Sequence, residues 1–216
     1  MSLAVSIYDV FAFTIPGFLY LFTFNELLRI LGYSNLDVVN INFSSYWLPI
    51  ILLAYLTGHL MEFVSLRLWM RLWYRVPEEE RAYKKFMTIK PEEKIDFNPG
   101  QWDLLFAVIQ REDRSTTERI DRIIALRIML RNVSFGLFIF SLLNLYLSFQ
   151  STFSLMHFME AIGIFALSLV SLRRADYYSI LLYTSIFQHA ALYGKNLREI
   201  LNTVRNEKPK QSRSKP

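Results

Sequence analysis

Apolar segments of near-membrane length alternate with polar segments along this chain. Four of them approach the roughly 20 residues that a helix needs to cross a hydrocarbon core of about 30 Å. They lie at about 8–30, 46–66, 131–149 and 153–172. The pattern predicts an all-α integral membrane protein with four transmembrane helices. We expect two transmembrane hairpins, over residues 1–66 and 128–172.

The first apolar segment contains Pro16 and Gly17, which we take as a candidate helix break. Its charge-free part, residues 10–24, is only about 22 Å long as a helix at 1.5 Å per residue. A spanning helix must therefore continue to about residue 30, and the alternative is a segment that re-enters the membrane. We expect a kinked span, because membrane helices tolerate proline when neighbouring groups satisfy the freed carbonyl.

The polar residues 67–127 predict a helical module in the cytoplasm. Three glutamates follow Pro77, as is typical of a helix N-terminus. Residues 102–110 have the spacing of a short amphipathic helix. The sequence Ser115-Thr116-Thr117-Glu118 matches a capping box, which predicts that another helix begins there. No helix-breaking residue follows, so we expect that helix to continue without interruption into the third span.

The residues after the fourth span predict one more helix and a tail. Residues 173–205 have apolar positions such as Tyr178, Leu182 and Ile186 at helical spacing, which predicts a cytoplasmic or interfacial helix. A fifth span over 177–194 is the alternative, although its tyrosines and hydroxyl residues disfavour it. Residues 206–216 are charged and contain proline and serine, so we expect a disordered basic tail.

The basic residues predict the orientation in the membrane. Of the 24 Lys and Arg residues, only Arg29 lies outside two stretches, 67–131 and 173–215. Lys and Arg near a span resist translocation, so both stretches are expected in the cytoplasm. With four spans, both the N-terminus and the C-terminus are then cytoplasmic.

Composition narrows the possible chemistry. The chain is 53% hydrophobic, which is high for a soluble domain of 216 residues, and it contains no cysteine. Disulfides, thiol nucleophiles and thiolate metal sites within the chain are therefore excluded. Its net charge of +5 comes from basic residues that flank spans. We therefore expect contact with the lipid bilayer and no direct binding of nucleic acid.

Four ionisable residues inside the predicted spans are candidate intramembrane polar residues: His59 and Glu62, and His157 and Glu160. In each pair the histidine and the glutamate are three residues apart, so they share one helix face. A joint metal or proton site is one interpretation. Separate interhelical hydrogen bonds are favoured, because the two histidines differ in predicted depth by roughly 13 Å. Hydrated positions at the membrane surface are the third possibility.

Five arginines are candidate contacts for anionic lipid or for a phosphate-bearing ligand: Arg67, Arg71, Arg75, Arg127 and Arg131. The first three recur every fourth residue and form one basic stripe where the second span ends. Contact with lipid headgroups is the favoured interpretation, because such residues concentrate at the inner membrane surface.

No sequence motif predicts a reaction. The chain has no glycine-rich nucleotide-binding pattern, no GxSxG and no HExxH. We therefore expect neither an enzyme nor a bound cofactor or metal.

One short segment carries a resemblance to known proteins. Asp9, followed by an apolar stretch into Ile15-Pro16-Gly17-Phe18, resembles the opening of small four-helix bacterial inner-membrane proteins. Some of those proteins are encoded in anti-phage defence loci. The resemblance covers about ten residues. It implies a bacterial inner-membrane location and an oligomeric effector or sensor role, and it transfers no functional residue.

These observations lead to three functional hypotheses. The first is a non-catalytic subunit that forms homo-oligomers and acts as a membrane effector, sensor or anchor for a cytoplasmic protein partner, with pore formation as one mode of action. The second is a transporter or channel component, favoured by Pro16-Gly17 and the His/Glu pairs. The third is a membrane enzyme that uses those pairs.

Overall fold

The structure of the protein, a computed structural model, describes residues 7–33, 43–73, 76–89, 99–150 and 153–192. All regular structure within these ranges is helical, which confirms the predicted all-α class. A short 3-10 turn, Pro99–Gln101, precedes the fourth of the six α-helices in these ranges. The helices are α1 (Ile7–Ile30), α2 (Phe43–Trp73), α3 (Glu78–Ile89), α4 (Trp102–Glu112), α5 (Arg114–Phe149) and α6 (Leu155–Leu192).

Four of the helices are long and apolar enough to cross a membrane: α1, α2 within Trp47–Arg67, α5 and α6. The prediction of four potential spans is confirmed at this level, and the arrangement in two hairpins stays a prediction. Helix α1 continues to Ile30 with Pro16 inside it. The basic tail, residues 206–216, lies outside the described residues.

The chain divides into two compact units. Unit 1 comprises Met1–Arg75 and Ala125–Ala175, and unit 2 comprises Val76–Ile124 and Asp176–Pro216. Helices α5 and α6 each contribute residues to both units. Within unit 1, residues 125–149 of α5 are about 37 Å long and residues 155–175 of α6 about 31 Å, close to the thickness of a hydrocarbon core.

Small residues let α1 and α2 approach each other closely in unit 1. A Cβ atom at Gly17 would overlap the backbone carbonyl of Ala54, and a Cβ atom at Gly58 would overlap that of Phe13. Close backbone approach at small residues is how membrane helices gain packing contacts. Gly17 is thus a helix-packing residue inside a continuous helix.

All four helices of unit 1 contribute to one apolar cluster. Its buried members are Tyr20 of α1, Phe135 of α5 and Leu172 of α6. Met61 and Val64 of α2 pack against them.

Unit 1 exposes apolar side chains and buries polar ones. Large apolar residues are exposed along all four helices, among them Phe11, Leu52, Leu60, Leu142 and Val170. The buried polar or charged residues of this unit are Thr14, Thr23, Asn25, Ser65, Arg131, Asn132, Ser134, Ser141, Asn144, Ser148 and Ser168.

Unit 2 has an apolar core built from all of its helices. Phe86 of α3, Leu105 and Ile109 of α4, Ile120 of α5 and Ile186 of α6 are all buried within one cluster. The apolar positions of α3 and α4 recur at helical spacing, so each helix presents one apolar face to this core. Leu182 and Ile186, which the sequence placed on the apolar face of a separate helix, belong to this core as part of the continuous α6.

The start of α5 differs from the predicted capping box. The helix begins at Arg114, and the Asp113 carboxylate accepts a hydrogen bond from the backbone N–H of Thr116 at 3.1 Å. Asp113 is therefore the N-cap, two residues before the predicted Ser115. The prediction was wrong in register because aspartate is at least as good a cap as serine and stands earlier in the chain. The prediction that α5 runs without interruption from the polar segment into the apolar one is confirmed.

Candidate functional site

The most buried charge in unit 1 is the guanidinium group of Arg131, in the middle of α5. Its side chain is only 3% exposed, and its Nη2 donates to Glu62 Oε1 on α2 at 3.0 Å. Ionisable residues inside membrane spans usually pair with one another, because an isolated charge in a low-dielectric interior is costly. The structure thus makes Glu62 the partner of Arg131. Arg131 is thus paired inside unit 1, and its contact with lipid headgroups, which the sequence led us to expect, stays a prediction.

Neighbouring polar groups extend this ion pair into a cluster that joins three helices. Tyr20 of α1 donates its hydroxyl hydrogen to the backbone carbonyl of Asn132 at 2.7 Å. The Ser65 hydroxyl of α2 lies 2.5 Å from the Asn132 side-chain oxygen and 2.9 Å from the Glu62 carbonyl. We call Tyr20, Glu62, Ser65, Arg131 and Asn132 the polar cluster of unit 1.

The local sequence explains how the polar cluster forms. Glu62 and Ser65 are three residues apart, so both lie on the face of α2 that meets α5. Arg131 and Asn132 are adjacent on α5 and therefore point about 100° apart. That angle directs Arg131 towards Glu62 and Asn132 towards Ser65, while the Asn132 backbone carbonyl remains available to Tyr20.

A second polar contact joins α5 to α6. The Ser134 hydroxyl donates to the Ser168 backbone carbonyl at 2.8 Å, and the Ser168 hydroxyl donates to the Ser134 carbonyl at 2.8 Å. Both serines are fully buried. This reciprocal pair brings the two backbones close together, as small hydroxyl residues do between membrane helices.

The four predicted His/Glu residues lie in different environments. His59 is exposed on α2, edge-on to the Phe13 ring at 4.7 Å and stacked on Tyr55 at 6.3 Å. Glu62 belongs to the polar cluster. His157 Nδ1 lies 3.2 Å from Glu160 Oε2 in the first turns of α6, and both side chains are about two-fifths exposed. Among the described residues, no three His, Asp or Glu side chains come together as metal ligands.

The remaining candidate arginines are only partly described. Arg67 is exposed, and its guanidinium lies 5.1 Å from the centre of the Phe63 ring. Arg127 is half-buried on α5. The side chain of Arg71 and the whole of Arg75 lie outside the described residues. Contact of these arginines with anionic lipid or a phosphate-bearing ligand stays a prediction.

Unit 2 contains a polar network at the N-terminus of α5. The Thr116 hydroxyl donates to Asp113 Oδ2 at 2.6 Å and lies 3.2 Å from His189 Nε2 on α6. His189 Nδ1 lies 2.8 Å from the carbonyl oxygen of Ser185. Hydrogen bonds from Thr116 and Ser115 to the carboxylate hold the pKa of Asp113 at about 2, below its ordinary value. The network connects α6 to the start of α5 within unit 2.

An ion pair connects α3 to α6 in the same unit. The Arg81 guanidinium donates to both carboxylate oxygens of Asp176, at 2.6 and 3.1 Å. Such a two-point contact fixes orientation as well as distance, because the planar fork matches the carboxylate. The Asp113–Thr116–His189 network and the Arg81–Asp176 ion pair therefore both hold helices of unit 2 in position.

Comparison with protein-family models, with curated proteins and with solved structures finds no match for this chain. The resemblance of residues 9–18 to small bacterial membrane proteins therefore stays a prediction.

Sequence reasoning missed three members of the polar cluster, Tyr20, Ser65 and Asn132. One pattern in the sequence did indicate a buried polar face on α5. Ser134, Ser141 and Ser148 recur every seven residues and predict one polar face on an otherwise apolar helix, and all three are buried. In a membrane helix such a face points towards other helices, because polar groups in hydrocarbon need partners. The partner of each residue could not be read from this spacing.

Proposed function

We propose that the protein is a non-catalytic, multi-pass subunit of the bacterial inner membrane that acts as a homo-oligomeric membrane effector. In this proposal unit 1 spans the membrane, and unit 2 is a cytoplasmic module that senses a signal or binds a protein partner. Both termini are cytoplasmic. A role in anti-phage defence is the biological setting that the resemblance at residues 9–18 implies.

The observation that carries the proposal is the opposite polarity of the two units. Unit 1 exposes apolar side chains on every helix and buries an ion pair, as a bundle surrounded by lipid does. Unit 2 buries its apolar side chains in one core, as a water-soluble domain does. A chain that combines two such units is suited to connecting an event in water with one in the bilayer.

The contacts inside unit 1 favour assembly over catalysis. Glu62, Arg131, Ser65 and Asn132 bind one another, so their polar groups hold helices together. A catalytic base or nucleophile needs access to a substrate. The proposed mode of action therefore depends on packing and assembly of helices.

The orientation is tested with reporter fusions. Reporters placed after Ser34, Lys90, Ser151 and Pro216 are expected outside, inside, outside and inside the cell, respectively. A reporter after Pro216 that reads outside contradicts the proposed topology and supports a fifth span over residues 177–194.

The effector role is tested by inducing the full-length protein in bacteria and measuring entry of a membrane-impermeant dye. We expect the wild type to raise dye entry and Leu126→Pro to abolish it. Leu126 lies in α5, which contributes to both units, and proline in a helix interior costs about 3 kcal/mol. The matched control Leu126→Ala keeps the helix and is expected to keep the activity. Equal activity of Leu126→Pro and the wild type contradicts the proposal.

A transporter or channel component is the second candidate function. It is favoured by the polar interior of unit 1, in which Ser141, Asn144 and Ser148 of α5 are buried. Purified protein in liposomes separates the two candidates. Selective flux of one ion, reduced by Asn144→Leu, supports a channel, whereas dye release without ion selectivity supports the effector.

A further inference from the structure

His59 occupies an unusual position for an ionisable side chain. It lies on α2 about 18 Å from Trp47 and about 12 Å from Arg67, the two ends of the apolar segment of that helix. Its depth is therefore near the middle of a hydrocarbon core about 30 Å thick. An imidazole is too short to reach either membrane surface from there. Unlike Glu62, it makes no polar contact with another helix and is exposed, although its ring lies against Phe13 of α1.

Polar groups at this depth need a partner. Histidines inside membrane spans almost always face a bundle interior or a water-filled cavity. Among the described residues, His59 contacts the aromatic rings of Phe13 and Tyr55, and its ring nitrogens make no hydrogen bond. A single copy of unit 1 thus leaves a donor and an acceptor facing the surrounding lipid.

The residues around His59 form a seam along α2. Exposed side chains recur at alternating intervals of four and three residues, which is the spacing of helices that pack with a left-handed crossing. They are Leu52, Leu56, His59, Phe63 and Leu66. We call this set the His59 seam. It has one polar residue at its centre and apolar residues on either side.

From these observations we infer that the His59 seam is the contact between two copies of this chain. A neutral imidazole carries one donor and one acceptor, so it is complementary to the same residue of a second copy. Two copies related by a two-fold axis near His59 bring the two rings together, so that the N–H of one ring can donate a hydrogen bond to the bare ring nitrogen of the other. A central polar residue in an apolar seam also fixes register, as a buried asparagine does in coiled coils. The inference rests on the proposed homo-oligomer and adds its interface.

Cysteine crosslinking tests the location of the contact, and the absence of natural cysteine removes any background. Full-length Leu56→Cys and Phe63→Cys variants in native membranes are expected to form dimers with a short bifunctional maleimide. Val170→Cys, exposed on α6, is the control and is expected to remain monomeric. Dimers through Val170 alone overturn the seam and leave the homo-oligomer intact. Monomers in every variant overturn both the seam and the homo-oligomer.

A second measurement tests His59 itself. Energy transfer between copies labelled at Val170→Cys, which lies outside the seam, gives the dimerisation constant when the protein is diluted in liposomes. We expect His59→Leu to weaken dimerisation on the order of tenfold, the size of an interhelical hydrogen bond. His59→Gln, whose amide is also a donor and an acceptor, is expected to restore most of it, and His157→Leu on α6 to change nothing. An unchanged constant in His59→Leu, at an unchanged unfolding midpoint in detergent, overturns the role of His59.

Discussion

Unit 1 and unit 2 are both helical, and α5 and α6 contribute to each, yet the two units differ in which polar side chains they bury and which apolar side chains they expose. Unit 2 buries Phe86, Leu105, Ile109 and Ile186 in one core, and few polar side chains accompany them. Unit 1 buries Arg131, Asn132 and a set of serines beside its small apolar clusters, while many of its leucines and phenylalanines are exposed.

The proposed placement of unit 1 in lipid and of unit 2 in water accounts for this difference. In water, burial of apolar surface is the main favourable term, at about 25 cal/mol per Å², so unit 2 collects its apolar side chains inside. In lipid, apolar side chains gain nothing by turning inward, and polar groups gain partners. The specificity of unit 1 therefore depends on hydrogen bonds, an ion pair and close packing at small residues.

The largest expected difference in stability is between two phenylalanine substitutions, one in each unit. Phe86→Ala removes a fully buried ring from the core of unit 2 and is expected to destabilise that unit by about 3–5 kcal/mol. Phe63→Ala, in unit 1, removes a ring that is 64% exposed, and its effect on unfolding of monomeric protein in detergent is expected to be under about 1 kcal/mol. Unfolding curves in mild detergent measure both. Equal losses would remove the contrast between the units.

The next largest loss of stability is expected from breaking the buried ion pair between Glu62 and Arg131. Glu62→Ala leaves the charge of Arg131 buried without its carboxylate, which is expected to cost about 3 kcal/mol. The matched control Glu160→Ala breaks an exposed contact with His157 and is expected to cost less than about 1 kcal/mol. Replacing both Glu62 and Arg131 by leucine should recover much of the loss. If the double variant were as unstable as Glu62→Ala, the ion pair would contribute more to stability than the neutralisation of two buried charges.

Packing at small residues gives an intermediate effect. In Gly58→Ala the new methyl group would overlap the Phe13 carbonyl, so α1 and α2 must separate, at an expected cost of about 1–3 kcal/mol. Gly163→Ala on α6 is the control, because no atom lies within 4 Å of its Cβ position. That change is expected to be neutral or slightly stabilising, since alanine favours helix. If both changes were neutral, α1 and α2 would not depend on close contact.

The smallest effect concerns the cap of α5 in unit 2. Asp113→Ala is expected to lower the unfolding midpoint by about 2–4 °C at neutral pH, whereas Asp113→Asn keeps a capping oxygen and most of the stability.

Acid should produce the same loss in the wild type. The folded chain holds the pKa of Asp113 at about 2, below the ordinary 3.8, so the carboxylate stabilises the fold above about pH 4. This contribution is lost as the pH falls from about 4 to about 2. The Asp113→Asn variant lacks the carboxylate, so its stability should not show this loss between the same two pH values. A wild type and an Asp113→Asn variant with the same acid profile would contradict the assignment of the cap.

Features that depend only on the order of residue types along the chain could be predicted from the sequence. The four apolar segments and the continuity of α5 follow from runs of residue types, because the length of an apolar helix and the absence of a breaker are one-dimensional features. The helix start at Asp113 was missed by two residues. Several acceptable caps stand side by side there, and the choice among them is decided by the hydrogen bonds that form.

Partners on different helices were decided by the tertiary structure alone. From the sequence we expected Glu62 to hydrogen-bond to another helix without knowing its partner, and we took Arg131 as a candidate contact for anionic lipid or a phosphate-bearing ligand. The fold pairs Glu62 with Arg131, 69 residues away. Each residue turns a helix by about 100°, so the rotation and the register of two helices decide which side chains meet. The sequence by itself determined which segments are apolar, and packing determined which polar groups within them face one another.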